Sequence, residues 1–518
     1  MATILMRGVG WGTGATATGG LTPQEKRGKQ IYLRGVSPSE RKITALMSGL
    51  EVPATTLPCA NCHGYDGRGK PEAGVTPSDL TWEFLTKPYG VTHASGRTHP
   101  PYTEQRIGRA IVEGVDPAGN RLLPTMPRYL LAPDDLADLT AYLKRLGKDL
   151  DPGLTETQIR LGTILPVSGP LAEMGQAMRA VMTAYFDELN RQGGIYHRKI
   201  ELSVMEPAET PAATRTGAQR WIEKEPIFAL VGAFIAGAEQ EIASLLESEE
   251  LPLVGPLTLF PPIGSPPNRY VFYLLSGMRE QARALVDFAT QRLSPPHPRM
   301  AILFPQEKIP LEVPEAIEEQ SRRLGWSSVA RVRYPSGRFN AAQLVQQLRQ
   351  EDTQVLFLLG SEGEGRALMQ EAAKANWTPH ILLPGSLVGK EIFDLPMSFQ
   401  EKIFLSYPTI PSDQTRVGLL EYRALLERHP LPGRHLAAQL SAYCAAKVLV
   451  EGLKLAGRDL SREKLITVLE GLYEFDTGLT PQITFGPNRR IGALGAYIVG
   501  LDLGKKAFIP ISPWVTPQ

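Results

Sequence analysis

Apolar positions along most of the chain alternate between two patterns. Short, continuously apolar runs such as 159–165 are followed by stretches with the i, i+3, i+4 spacing of a helix, as at Met178, Val181 and Met182. Strands are predicted at 159–165, 200–204, 228–232, 253–255, 271–275, 300–304, 329–334 and 354–359. Because apolar strands between amphipathic helices are typical of parallel sheets covered on both faces, two such series predict an α/β fold with two lobes.

The residues before 147 follow a different pattern. A helix is predicted near 23–35 and another near 133–146, and the segment between them is irregular and rich in Pro, Gly and Thr. The stretch 147–157 (GKDLDPGLTET) has no apolar periodicity and is predicted to be a linker. The predicted organisation is a tail at 1–20, a helical domain at 21–146, the linker, and a two-lobed domain at 158–518. Lobe 1 is predicted at about 158–279 and 408–480, and lobe 2 at about 280–407 and 481–518.

Composition restricts the function classes. The 518 residues are 42% hydrophobic and 21% charged, the balance of an ordinary globular protein, and the net charge of +1 disfavours a nucleic-acid binder. No run of about 18 apolar residues occurs, so no membrane span is expected. Residues 1–20 are too weakly apolar to be a recognisable secretory signal.

The three cysteines exclude a disulfide framework, and two of them form a motif. Cys59, Cys62 and His63 make a CxxCH sequence, which is the attachment motif of c-type haem. Its two thiols would form thioethers with the haem vinyl groups, and His63 would be the proximal iron ligand. A zinc half-site and a dithiol redox pair are the alternatives, but no second CxxC is present and no strand is predicted just before the motif. Cys444 lies in an apolar helix pattern and is expected to be a buried thiol.

Residues 21–150 resemble a class I c-type cytochrome, with an all-α fold. The resemblance rests on an opening helix containing Gly28 and Tyr32, the attachment loop from Cys62 to Gly69, the sequence Pro124 to Pro127, and the closing helix. It implies one covalent haem c, Met126 as the sixth ligand, and electron transfer rather than oxygen chemistry. His93 and His99 are the rival distal ligands. The segments 37–57 and 89–101 are additions to the compact family pattern.

From about residue 159 the chain resembles the type I periplasmic binding proteins of the leucine/isoleucine/valine-binding family. The matching segments are Leu165 to Pro170 with Gly175, Asn190 to Ile195, Val231 to Ala233, and Leu253 to Pro256. The resemblance implies a small ligand between the lobes, beyond the carboxyl ends of the strands. In amino-acid-binding members, hydroxyls at a helix start hold the ligand carboxylate and an acidic residue holds the ammonium.

Two departures from that pattern change the expected ligand. The hydroxyl-rich place contains Ala236 and Gly237, and the place of the acidic residue contains Arg279. We therefore expect a solute other than a free branched-chain amino acid, with an anionic or aromatic solute fitting better. The candidate solute contacts are Ser168, Gly169, Ala236, Gly237, Thr258, Arg279, Ser361 and Ser386.

Together these patterns predict a periplasmic haem c electron-transfer protein fused to a solute receptor. Its expected partners are a small-molecule ligand and a periplasmic redox protein. One alternative is the substrate-binding protein of an ABC transporter, for amino acids or related compounds, which carries an accessory haem and meets a permease. The other alternative is a haem peroxidase or the cytochrome subunit of a periplasmic dehydrogenase. No Ser/His/Asp order, phosphate loop or paired-carboxylate motif stands out, so no enzyme is expected.

Overall fold

The computed structural model describes residues 21–517 except 48, 70–73, 75, 94, 294–297, 308 and 327–328. The chain divides into two compact units between Pro152 and Gly153, inside the segment predicted to be a linker. The predicted tail at 1–20 lies outside the described residues.

The N-terminal unit is built around helices joined by two small antiparallel sheets. Its helices are α1 (Pro23–Arg34), α2 (Cys59–His63), α3 (Trp82–Leu85), α4 (Glu104–Val112) and α5 (Pro133–Leu143). Its strands are β1 (Thr44–Met47), β2 (Leu50–Pro53), β3 (Val91–Thr92), β4 (Thr98–His99) and β5 (Arg128–Leu130). One sheet has the order β2-β1-β5 and the other is the β3-β4 hairpin. Of the two segments predicted to be additions, 37–57 contains β1 and β2, and 89–101 contains β3 and β4.

Helices α1 and α5 cross closely, because a glycine lies at their contact. Helix α1 begins after Thr22, whose side chain accepts from the Glu25 N–H in a capping box. A Cβ at Gly28 would lie 2.0 Å from the Asp138 carbonyl oxygen, so only glycine fits there. Tyr32 is fully buried, and its ring centroid lies 5.7 Å from that of Tyr142 on α5. This crossing forms the centre of the unit's core.

The predicted linker is not a free segment. The Lys29 ammonium on α1 lies 2.9 Å from the Asp149 carboxylate and 3.1 Å from that of Asp151. Gly153 packs against the backbone of Phe228 in the second unit. The segment 147–157 thus contains the boundary between the units, and two of its carboxylates, those of Asp149 and Asp151, pair with a half-buried lysine.

The C-terminal unit contains two lobes. Its strands are β6 (Gln158–Ile164), β7 (Lys199–Met205), β8 (Ala229–Val231), β9 (Leu253–Val254), β10 (Val271–Leu275), β11 (Met300–Pro305), β12 (Val329–Tyr334), β13 (Val355–Leu358), β14 (His380–Pro384), β15 (Ile403–Tyr407), β16 (Ile491–Ala493), β17 (Tyr497–Asp502) and β18 (Ala507–Pro510). Its helices are α6 (Ala172–Arg191), α7 (Pro211–Lys224), α8 (Glu239–Ser248), α9 (Met278–Arg292), α10 (Glu312–Arg323), α11 (Ala341–Gln350), α12 (Glu362–Lys374), α13 (Arg416–Arg428), α14 (Leu436–Ala456) and α15 (Arg462–Glu470).

Each lobe has one sheet flanked by helices, as predicted. The lobe 1 sheet has the order β16-β10-β9-β8-β6-β7 and is parallel throughout. The lobe 2 sheet has the order β12-β11-β13-β14-β15-β17-β18. It is parallel as far as β15, and β17 and β18 join it as antiparallel strands.

The last predicted lobe boundary is wrong. Strand β16 pairs with β10, and Ile483 and Phe485 lie in the lobe 1 core, so 481–493 belong to lobe 1 rather than to lobe 2. The chain first passes from lobe 1 to lobe 2 at Ser276 and Gly277, because Met278 already packs in a lobe 2 core. The chain last passes between the lobes near Gly495. The buried Ser276 hydroxyl links this passage to the first one, because it donates to the Ala493 carbonyl and accepts from the Gly495 N–H at 2.8 Å.

One helix among the described residues, α14, is long and apolar enough to cross a membrane by length and composition alone. Of its most apolar window, 67% is buried inside the protein. Cys444 on this helix is fully buried in the lobe 1 core. These are the properties of a core helix, and Cys444 is the buried thiol that the sequence predicts.

Candidate functional sites

The CxxCH motif forms a single helical turn, α2. Pro58 precedes it in an extended conformation, and Gly64 ends it with φ 76°. Cys59 and Cys62 are three residues apart and therefore lie on the same side of the turn. Cys59 is half-buried and Cys62 is exposed. Burial raises the pKa of the Cys59 thiol to about 12.

His63 has the geometry of a metal ligand. It is buried, and its Nδ1 lies 2.9 Å from the Ser78 carbonyl oxygen. Since a carbonyl oxygen only accepts, Nδ1 carries the proton and Nε2 carries the lone pair. Burial lowers the pKa of His63, which favours the neutral ring that binds iron.

Two buried tyrosines fix the ends of the motif. The Tyr32 hydroxyl donates to the Gly64 carbonyl at 2.7 Å, just after the helical turn. The Tyr129 hydroxyl donates to the Leu57 carbonyl at 2.7 Å, just before it. Burial, together with the neighbouring Cys59 thiol, raises the pKa of both hydroxyls, so they remain protonated donors. The attachment turn is therefore tied to the core of the unit at both ends.

The surroundings of the motif fit a haem. Half-buried apolar side chains border the core of the unit, and they include Leu57, Tyr65, Leu122 and Met126 as well as Cys59. A c-type haem needs two thiols, one imidazole with a free Nε2, and a partly open apolar pocket. Cys59, Cys62 and His63 supply the two thiols and the imidazole, and the half-buried apolar side chains lie in the same unit.

The Met126 loop is held by an arginine. The Met126 N–H donates to the Leu123 carbonyl at 3.0 Å in a tight turn. The Arg128 guanidinium donates to the carbonyls of Met126 and Leu122. Gly114 has φ 69°, and a Cβ there would lie 1.7 Å from the Arg128 Nε, so the glycine makes room for the guanidinium. The loop that carries the predicted sixth ligand is thus fixed through its backbone.

The rival distal ligands belong to a separate network. His93 and His99 lie in the β3-β4 hairpin region, with their Nε2 atoms 3.0 Å apart. Arg97 contacts the His93 Nε2 at 2.9 Å and pairs at 2.7 Å with Asp116. The His99 Nδ1 lies 2.8 Å from the Pro100 carbonyl. Both Nε2 atoms and the His99 Nδ1 are therefore engaged locally, which favours Met126 over either histidine.

The zinc alternative finds no support in the side chains. Among the described residues, no group of three or more His, Cys, Asp or Glu side chains is placed to hold a metal ion. A tetrahedral zinc site needs two further ligands beside a CxxC pair, and the described residues place none there.

The lobe 1 candidates for solute binding come together at one edge of the sheet. Ser168 and Gly169 follow β6, Ala236 and Gly237 follow β8, and Thr258 follows β9. These three strands are neighbours in the sheet. The five residues therefore lie at the carboxyl edge where ligands of parallel sheets bind.

The hydroxyls at this edge are already bonded to carboxylates of the chain. Ser168 Oγ donates to Glu206 at 2.5 Å. Thr258 Oγ1 donates to Glu239 Oε1 at 2.6 Å, and the Gly237 N–H donates to Glu239 Oε2 at 2.8 Å. Sequence reasoning missed both glutamates, because the pairing of Thr258 with Glu239 depends on the close approach of the loops after β8 and β9.

Arg279 lies beside the same edge. The Met278 N–H donates to the Leu259 carbonyl at 2.8 Å, which places the start of α9 against the loop after Thr258. The Arg279 guanidinium is half-buried and lies 3.6 Å from the carboxylate of Glu280, which is itself buried. Burial raises the pKa of Glu280, and Arg279 opposes that shift. The Arg279 charge therefore has a carboxylate neighbour within the protein.

The lobe 2 candidates follow neighbouring strands. Ser361 comes after β13 and Ser386 after β14, and both are exposed. Ser361 Oγ donates to Glu364 at 2.7 Å in the capping box that begins α12. Ser361 thus has a structural role at the helix start, and Ser386 lies in a short turn at the same edge.

Comparison with known proteins identifies both units. The family model described as "Cytochrome c" matches residues 54–147, and the model described as "Periplasmic binding protein" matches residues 158–506.

Relatives and solved structures match the second unit. Leu/Ile/Val-binding protein homolog 8 of Brucella abortus is 21% identical over 355 residues, covering 64% of this chain and 85% of the relative. A leucine-, isoleucine-, valine-, threonine- and alanine-binding protein of Pseudomonas aeruginosa is 22% identical, covering 62% and 84%. A branched-chain amino acid ABC transporter structure from Thermus thermophilus with bound valine has a TM-score of 0.56 and 16% identity, covering 70% of this chain and 97% of that one. A fatty acid ABC transporter substrate-binding protein from Thermomonospora curvata has a TM-score of 0.53 and 18% identity, covering 70% and 94%. The chain belongs to the periplasmic binding protein family, and a cytochrome c domain precedes its binding domain.

Proposed function

We propose that this protein is a periplasmic solute receptor that carries one covalent haem c and transfers electrons through it. The observation that carries the proposal is the α2 turn, in which Cys59, Cys62 and a His63 protonated at Nδ1 lie in the same chain as a periplasmic binding domain. The relatives' periplasmic setting supports the location, which is also where covalent haem attachment ordinarily takes place.

Four side chains of the N-terminal unit would hold the haem. Cys59 and Cys62 would supply the thioether sulfurs, and His63 and Met126 would supply the nitrogen and sulfur that bind the iron. The Ser78 carbonyl fixes the tautomer and orientation of His63, and Arg128 fixes the Met126 loop through its carbonyls. A bound haem supplies a reversible one-electron couple, whose potential a methionine opposite an imidazole raises.

The receptor residues supply a hinged cleft. The chain crosses between the lobes near Ser276, after Tyr407 and near Gly495, and connections of this kind allow lobes to close around a ligand. A small solute would bind between the carboxyl edges of the two sheets. Its binding would favour the closed form and so change which redox protein can dock.

A transport role is the second candidate. The relatives' names describe binding of leucine, isoleucine and valine, which favours a substrate-binding protein that delivers its solute to an ABC permease. In that case the haem would be an accessory, and removing it by Cys59→Ser with Cys62→Ser would leave solute uptake unchanged.

The covalent haem is tested by acid-acetone extraction of protein made in a periplasm with haem-attachment machinery. The haem should stay with the polypeptide in the wild type and in Cys444→Ser. It should be lost from the double variant Cys59→Ser with Cys62→Ser. Haem that extracts freely from the wild type would contradict the proposal.

A further inference from the structure

The carboxylate of Glu239 occupies the hydrogen-bond donors at the edge of lobe 1. It accepts from the Thr258 hydroxyl at 2.6 Å and from the Gly237 N–H at 2.8 Å. Thr258 Oγ1 also accepts from the Phe260 N–H at 3.0 Å, so both functions of this hydroxyl are used. A hydroxyl and an N–H at a helix start are suitable donors for a solute carboxylate. Here a carboxylate of the chain itself takes them.

The neighbouring strand end repeats this arrangement. Ser168 donates to Glu206 at 2.5 Å, after β6. Both hydroxyls at the lobe 1 edge therefore donate to carboxylates, and each carboxylate brings oxygens to the edge that can accept a hydrogen bond from a solute. Such oxygens accept hydrogen bonds and attract positive charge, and they repel a second carboxylate.

A buried tyrosine beneath the edge gives independent evidence for a missing partner. Tyr273 on β10 is only 3% exposed, and its hydroxyl has no hydrogen-bond partner among the described residues. Burial raises the pKa of Tyr273 and the charge of Glu239 adds to this, so the hydroxyl lies within electrostatic reach of that carboxylate. A buried hydroxyl without a partner costs about 1–3 kcal/mol, so the Tyr273 hydroxyl would be stabilised by a polar ligand atom that reached it.

We propose that Glu239 makes the lobe 1 side of the cleft select a solute that donates hydrogen bonds from nitrogen, an amine or a primary amide, in place of a carboxylate. This rests on the proposed receptor function and replaces the expectation of an anionic solute. Arg279, whose guanidinium lies 3.6 Å from the Glu280 carboxylate, is the opposing charge at this edge.

The test measures binding by the full-length holoprotein to matched pairs of acid and primary amide. The pairs are leucine with leucinamide, phenylalanine with phenylalaninamide, and benzoate with benzamide, and isoamylamine serves as the amine probe. Thermal shift finds the hits and calorimetry gives their affinities. The variants are Glu239→Ala, which frees the Thr258 and Gly237 donors, and Glu239→Gln, which keeps an acceptor for Thr258 and removes the charge. Glu247→Ala, an exposed carboxylate at the far end of α8, is the matched control.

The expected result is a reversal of preference. The wild type and Glu247→Ala bind amides or the amine at least about tenfold more tightly than the matched acids. Glu239→Ala gains at least about tenfold in acid affinity, and Glu239→Gln loses about fivefold in amide affinity. A wild type that binds acids as tightly as amides, or a folded Glu239→Ala that gains no acid binding, overturns the inference. Tight acid binding by the wild type would leave the receptor function standing, whereas a native chain that carries no solute at all would count against the receptor function itself.

Discussion

At the scale of single residues, Arg128 holds the backbone of the loop that carries Met126. Its guanidinium donates to the carbonyls on both sides of the loop, next to Gly114. Arg128→Ala should remove these bonds, so the ferric protein should lose its near-infrared methionine-to-iron band at a lower temperature than the wild type. Absorbance recorded during heating measures this loss.

The controls for Arg128 are an exposed neighbour and the ligand itself. Arg121→Ala should behave like the wild type, and Met126→Ala should abolish the band at every temperature. If Met126→Ala leaves the spectrum unchanged and His93→Ala or His99→Ala alters it, Met126 is not the sixth ligand.

The two motif cysteines should differ in reactivity before haem is attached. Burial raises the pKa of Cys59 to about 12, so at pH 8 roughly one thiol in ten thousand is the reactive thiolate. Cys62 is exposed. In haem-free protein, iodoacetamide at pH 8 should therefore alkylate Cys62 first, and Cys59 should react only as the pH approaches 12 or the protein unfolds. Peptide mass mapping follows both sites, and equal rates would show that the Cys59 thiol is accessible.

The residues of the haem motif could be predicted from the sequence, whereas the partners at the solute edge could not. Cys59, Cys62 and His63 are close in sequence, and one helical turn is enough to bring them together. Glu239 and Thr258 are separated by a helix and a strand, and they meet only because β8 and β9 are neighbours. A glutamate at the first position of a helix reads as an ordinary helix-start residue, so its role depends on the fold.

At the scale of elements, the crossing of α1 and α5 requires glycine at position 28. Gly28→Ala would place a Cβ 2.0 Å from the Asp138 carbonyl oxygen and 2.8 Å from the Tyr142 Cβ. The two helices would have to separate, at a cost of about 1–3 kcal/mol in the free energy of unfolding. Denaturant unfolding followed by the haem absorbance of the holoprotein measures this cost.

Gly108→Ala on α4 is the matched control for the crossing. Its new methyl group would meet the end of the Leu136 side chain at 3.1 Å, which can move, and alanine favours the helix by about 1 kcal/mol. Its stability should therefore be close to that of the wild type. Equal stability of Gly28→Ala and Gly108→Ala would mean that the helices are not in close contact at Gly28.

Periodicity predicted the elements of the two lobes well and the β-structure of the cytochrome unit poorly. Apolar runs between amphipathic helices identify strands such as β11 and β13 because both faces of each strand are buried. Strands β1, β2 and β5 are only three or four residues long and carry exposed side chains, so they leave no apolar run. Their pairing comes from tertiary contact with the helical core.

At the scale of the whole molecule, the lobe assignment depends on where the chain crosses. Residues 481–493 are predicted to be part of lobe 2, but β16 adds to the edge of the lobe 1 sheet beside β10. Ile483 and Phe485 pack in the lobe 1 core and so place β16 at the edge of the lobe 1 sheet instead of the lobe 2 sheet. Sequence periodicity alone does not specify this packing.

The central claim is that one chain holds both a covalent haem and a solute. Native mass spectrometry of the full-length protein, purified from the periplasm that makes it, tests this most directly. The full-length protein should carry the mass of one haem together with a small retained solute. On denaturation the solute should leave and the haem should stay. A chain that carries no haem mass, or one whose haem leaves with the solute on denaturation, would contradict it.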